Sequence, residues 1–126
     1  MTERVASCAC GQLRVACQGE PRSVSLCHCR ECQRRTGGPF GVAAFFAAEA
    51  IEVSGEATVY RRPSDTGFDV VHRFCPACGS TVWWEATRKP GLVAVALGAF
   101  ADPDFPGPTQ AVRAETRHRW LPEDLG

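Results

Sequence analysis

Excess charge of either sign is missing from this sequence: 14 Lys and Arg offset 14 Asp and Glu, for a formal net charge of zero. Without a basic field the chain has no means of capturing nucleic acid or an anionic membrane surface nonspecifically, so neither partner is expected. Long apolar runs are missing too. No stretch approaches the roughly 18 consecutive apolar residues of a membrane span, and the opening Met1-Thr2-Glu3-Arg4 lacks the apolar segment of an export signal. A cytoplasmic location is therefore expected. Helical and strand patterns do not alternate, which sets aside Rossmann-like and thioredoxin-like sheets. No internal repeat or linker divides the 126 residues, a length that suits one domain.

What the chain has in quantity is cysteine, eight in all. In a reducing compartment they argue for metal over disulfides. Three stand in Cys27-His28-Cys29-Arg30-Glu31-Cys32, a C-x-C-x-x-C run. Thiols packed so closely oxidise, repel as thiolates or share a metal. Zinc takes thiolates at about 2.3 Å in a tetrahedron, which places ligand sulfurs about 3.8 Å apart. The run fills three corners and has no fourth cysteine nearby, the pattern of a metal with an open position. Two further pairs flank it: Cys8-Ala9-Cys10-Gly11, and Cys75-Pro76-Ala77-Cys78-Gly79. The second is a zinc knuckle, in which Pro76 presets a tight turn and Gly79 permits the positive φ that aims backbone N–H groups at a thiolate. Cys17 stands alone and reads as a small buried hydrophobe.

The apolar runs are short and rich in β-formers: 13–17, 24–26, 40–46, 58–60, 70–74, 81–84 and 92–97 read as strands. Gly- and Pro-rich turns separate them. Residues 43–50 are ambiguous, because alanine favours helix and Phe45-Phe46 favours strand. The Pro-rich segment 102–108 reads as a loop before a last extended segment. The fold class is all-β, with small antiparallel sheets whose core zinc supplements.

Seven clustered cysteines divide most economically into a closed four-thiolate site, Cys8, Cys10, Cys75 and Cys78, and an open site, Cys27, Cys29 and Cys32. A competing division joins Cys8 and Cys10 to Cys29 and Cys32, and leaves the knuckle without partners. A redox C-x-x-C is a third option, without the sheet context it normally has.

The ordered motifs C-x-C-G, then C-H-C-x-x-C with Arg35-Thr36-Gly37-Gly38-Pro39-Phe40, then Arg73-Phe74-Cys75-x-x-Cys78-Gly79-Ser80 resemble the glutathione-dependent formaldehyde-activating enzyme family. The same domain occurs in centromere protein V. The resemblance runs through Leu97-Gly98-Ala99-Phe100-Ala101-Asp102-Pro103 and so covers nearly the whole chain. It implies the Mss4-like fold, a β-tent of antiparallel sheets. It also implies two Zn²⁺ ions, one structural on Cys8, Cys10, Cys75 and Cys78 and one catalytic on Cys27, Cys29 and Cys32. The implied activity is a carbon–sulfur lyase that interconverts S-(hydroxymethyl)glutathione with glutathione and formaldehyde.

Three thiolates leave zinc a weak Lewis acid that is still well suited to hold a substrate thiol as thiolate. Arg30, Arg34 and Arg35 follow the open site closely enough to offset its charge and attract the carboxylates of glutathione, or they are solvated loop charges. His28 is expected to turn its ring away from the metal if the chain there is extended. His72 and His118 read as structural, and Glu31 as an exposed turn carboxylate. Trp83 and Trp84 should face opposite ways, one into the core and one toward a cleft. The Gly37-Gly38-Pro39 stretch either admits a ligand or only turns the chain. Two other readings stand beside the lyase: a non-enzymatic partner-binding module of the same fold, and a protein whose thiolates serve the fold alone.

Overall fold

The computed structural model describes residues 2–64 and 67–125. In chain order its first strands are β1 (Glu3–Ser7), β2 (Arg14–Gln18), β3 (Ser23–Cys27), β4 (Gly41–Ala47) and β5 (Ile51–Ser54). There follow β6 (Thr58–Pro63), β7 (Asp69–Phe74), β8 (Thr81–Ala86), β9 (Leu92–Ala96) and β10 (Gln110–Val112). One α-helix among the described residues, α1 (Arg30–Thr36), lies between β3 and β4. All seven strands expected from the sequence are present. The Ala-rich segment resolves its ambiguity by doing both: β4 runs to Ala47 and a 3₁₀ turn takes Ala48–Ala50.

The strands form a three-stranded sheet, β1-β2-β5, and a seven-stranded sheet, β10-β3-β4-β9-β8-β7-β6. Every pairing is antiparallel except that of β10 with β3. This is the all-β architecture of small sheets that the sequence predicts, consistent with the Mss4-like fold. Alternation along each strand decides which side is core. Leu13, Val15 and Cys17 pack from the small sheet against Val24, Ala44, Phe46, Val82, Val93 and Val95 of the large one. The intervening residues Ala43, Phe45, Leu92 and Ala94 face the other way and line a cleft. Trp83 packs on the core and Trp84 lines the cleft, dividing as expected. Cys17 is fully buried, in keeping with its reading as a small hydrophobe.

The strands β1 and β5 and the helix α1 were not legible in advance, whereas β10 falls in the extended segment expected after the 102–108 loop. The helix replaces an expected loop. Its cap is Cys29, still extended at φ −65° and ψ 155°, whose sulfur accepts from the Cys32 backbone N–H at 3.3 Å. Gly37, at φ 70°, ends it in the left-handed region, where a side chain would be strained. That glycine turns the chain.

Candidate functional site

The sulfurs of Cys8, Cys10, Cys75 and Cys78 all lie within 4.8 Å of one another, and so do those of Cys27, Cys29 and Cys32. The folded chain therefore follows the four-plus-three division, and the competing grouping does not form.

In the four-cysteine cluster, Cys8 and Cys75 are buried and Cys10 and Cys78 exposed. The Cys8–Cys10 and Cys10–Cys75 sulfurs are 3.6 and 3.7 Å apart, close to the ~3.8 Å edge of a zinc–thiolate tetrahedron. The local backbone is shaped to present N–H groups to sulfur. Leu13 N donates to Cys8 Sγ at 3.3 Å and Ala77 N to Cys75 Sγ at 3.3 Å. Gly11 and Gly79 turn each loop with φ of 86° and 81°. A register shift between Arg73 and Phe74 interrupts the β7–β8 ladder just before the knuckle, and Phe74 then pairs with Thr81. Gln12 adds a donor that no motif announces, its Nε2 lying 3.0 Å from Cys75 Sγ. That bond, foremost, lowers the pKa of Cys75, while hydrogen bonds from Ser80 bring Cys78 to about 5. Such donors favour the thiolate that a metal requires.

The three-cysteine cluster sits where β3 ends and α1 begins. The side-chain hydrogen bonds shared within it hold Cys29 far below the ordinary thiol pKa and push Cys32 far above it. His28 is fully buried and stays out of the cluster. Its ring meets Phe40 edge-on at 6.1 Å, and its carbonyl accepts from Gln33 Nε2 at 2.9 Å and Thr116 Oγ1 at 2.8 Å. His118 completes this brace through a 2.8 Å contact with Gln33 Oε1. Both histidines thus hold the loop that carries the cysteines.

All three cysteines open into a cleft of about 1030 Å³ that runs along the outward face of the large sheet. Arg30, Arg34 and Arg35 also line it. Arg34 is mostly exposed and pairs with Glu31 at 3.2 Å. Arg35 is the arginine held against the cluster. Its guanidinium stacks on Trp84 at 4.1 Å and faces the thiolates, which partly offset the lowering of its pKa by burial. Glu31 also pairs with Arg62 at 3.5 Å. Arg62 in turn donates to His72 Nε2 at 3.3 Å. His72 is buried between Tyr60 and Trp84. Burial first, then Arg62 and Arg35, lower its pKa to about 4. Arg62, Arg88 and Lys89 line the cleft and were missed in the sequence, because each comes from a strand or turn far from the cysteines.

No helix among the described residues is long and apolar enough to cross a membrane. The model of the family described as glutathione-dependent formaldehyde-activating enzyme matches residues 3–118. Among curated proteins, none matches the chain. A crystal structure of a Rhodobacter sphaeroides protein, a structural-genomics target, is similar at a TM-score of 0.64 and 20% identity. The match covers 86% of this chain and 99% of that one, and it shows the fold.

Proposed function

Because this chain belongs to the glutathione-dependent formaldehyde-activating enzyme family, we propose that it is a zinc-dependent carbon–sulfur lyase. It would interconvert S-(hydroxymethyl)glutathione, or a related thiol adduct, with the free thiol and the aldehyde. The observation that carries this reading is the placement of Cys27, Cys29 and Cys32. Three sulfurs within 4.8 Å of one another open into a cleft, beside a stacked arginine.

Both cysteine clusters fit zinc by donor chemistry and spacing. Cys8, Cys10, Cys75 and Cys78 would hold a structural ion, and Cys27, Cys29 and Cys32 a catalytic one. A zinc bound at the triplet would supply a position that favours the substrate sulfur as thiolate. In the forward direction the thiolate electron pair forms the C–S bond to the aldehyde carbon, and the carbonyl oxygen takes a proton. In reverse the hydroxyl loses that proton, the C–S bond breaks, and its electron pair returns to sulfur. Arg35 offsets the negative charge of the thiolates, and its stacking on Trp84 fixes where that positive charge sits. Arg30 and Arg34 provide exposed cations for the carboxylates of a glutathione-like thiol.

The test is calorimetric titration of glutathione into zinc-loaded protein, together with measurement of formaldehyde release from the hydroxymethyl adduct. Zinc-dependent binding and release are expected. Two bound zincs with no thiol binding at millimolar concentration would reject the lyase in favour of a partner-binding module.

A further inference from the structure

We propose that the end of the cleft remote from the cysteines is a second subsite, which takes an apolar arm ending in a carboxylate. The substrate class is then an anionic thiol conjugate with an aromatic-sized group, bulkier in that arm than glutathione. This rests on the reading that substrate sulfur binds at Cys27, Cys29 and Cys32.

The two ends are joined by β4. Gly41 is beside the triplet, where an added Cβ would lie 3.2 Å from Cys32 Cβ. Phe45, four residues further along the same face, is about 13 Å away by strand geometry. Between them the floor is small at Ala43, and Phe45 itself is flanked by the small side chain of Ala94, its partner on the adjacent β9. At the far end the rings of Phe45 and Phe68 line the walls. A one-carbon aldehyde occupies none of this length.

Charge at the far end points to an anion. The three glutamates that line the cleft already have arginine partners: Glu31 with Arg34 and Arg62, Glu85 with Arg73, Glu115 with Arg113. Arg88 and Lys89 have no carboxylate partner among the described residues. Their charged groups lie over Phe68 at 4.6 Å and Phe45 at 5.9 Å. A cation resting on a ring keeps hydrogen-bond donors for a carboxylate, and the ring offers an apolar wall beside it. The juxtaposition of two rings and two cations without a carboxylate partner among the described residues, one strand length from the thiolates, fits a thiol that carries both features.

Three probes test this on the zinc-loaded full chain: N-(3-mercaptopropanoyl)phenylalanine, 3-mercaptopropionate, and N-propanoylphenylalanine, which lacks the thiol. The aromatic thiol should bind about tenfold or more tightly than 3-mercaptopropionate. In the Arg88→Ala/Lys89→Ala variant most of that advantage should vanish, with 3-mercaptopropionate unaffected, because both positions lie in a turn remote from the cysteines. The thiol-free probe should bind wild type weakly and the variant not at all. Equal affinities for the two thiols, with no binding of the thiol-free probe, would overturn the subsite and leave the sulfur site standing. Binding of the thiol-free probe, with no gain from the thiol, would support the subsite and reject the sulfur site.

Discussion

Gly41 and Arg35 are close neighbours in the lining of the cleft: a Cβ on Gly41 would stand 2.6 Å from Arg35 Nη2. The glycine is in a regular strand, paired with Cys27, so its purpose is space and not an unusual backbone angle. Its missing side chain lets the arginine reach past the start of β4 to lie on Trp84 and against Cys32. In this way a position with no chemistry of its own sets where the positive charge stands.

Gly41→Ala tests that relationship. The group displaced is the far end of a flexible side chain, and Cys32 Cβ, 3.2 Å from the new methyl, must also give slightly, so stability should fall by about 1 kcal/mol. Arg35 must leave its place, and thiol affinity of the zinc-loaded protein should weaken severalfold. Thermal melts beside calorimetry measure both. An unchanged affinity would show that the position of Arg35 is irrelevant to thiol binding.

Gln12 offers a second test, directed at the four-cysteine cluster. Its amide donates to Cys75 Sγ and to the Glu56 carbonyl at 2.7 Å, and accepts from the Glu56 N–H at 2.8 Å. Gln12→Ala removes an N–H···S bond and the tie to residues 55–57 together. Loss of a supporting bond of this kind typically costs about 10–100-fold in metal affinity. Competition with a chelator should show one of two zincs released early, and Gln12→Glu, which lacks the donor, should behave like the alanine variant.

How much could be read in advance follows from the range of each interaction. The cysteine motifs are local, and the knuckle from Cys75 to Gly79 determines its own turn, so the clusters were legible. Alternation along 40–46 and 92–97 identified strands because one face is core. The helix α1 escaped notice because it has seven residues and buries none of them. Its signals were nevertheless present, in the helix-favouring Arg30 to Arg35, the sulfur cap at Cys29 and the glycine at position 37. The edge strands β1 and β5 escaped notice because they are largely polar and half-exposed. The cleft was least legible. Alternation predicts which face Phe45 and Trp84 share with their own strands, but not that β4, β9 and β8 lie side by side to form one cleft with Arg35 near the cysteines and Lys89 at the other end.

His72 makes stability depend on pH. Its folded pKa of about 4 is below the 6.5 of an unperturbed imidazole. Between those values the unfolded chain binds more protons, so the contribution of His72 to stability is complete above about pH 6.5 and is lost as pH falls toward 4. His72→Asn should remove this component. The stability difference between wild type and variant should therefore shrink on acidification over that window, in paired denaturant titrations. The paired design matters because metal release also destabilises both proteins in acid. A difference independent of pH would show that His72 titrates normally.

The two cysteine clusters should respond to substitution in opposite ways. Cys75 is fully buried and joins the β7–β8 hairpin to the Cys8–Cys10 loop. Structural zinc contributes on the order of 10–16 kcal/mol of apparent binding free energy, more than a small domain can forgo. Cys75→Ser should therefore give unfolded or insoluble protein, and recovery of a soluble variant with wild-type melting would reject a structural zinc there. Cys29 differs because its cluster is local, spanning only the end of β3 and the first turn of α1. Its sulfur also caps that helix, and serine is among the best residues for a cap. Cys29→Ser thus keeps the cap and removes one thiolate. Its fold should survive, its second zinc should weaken, and glutathione binding should disappear with any lyase turnover. Metal analysis, melting and calorimetry on one preparation separate the alternatives. Loss of stability with no thiol binding in either protein would assign the triplet to the fold alone, whereas loss of thiol binding at unchanged melting would assign it to substrate.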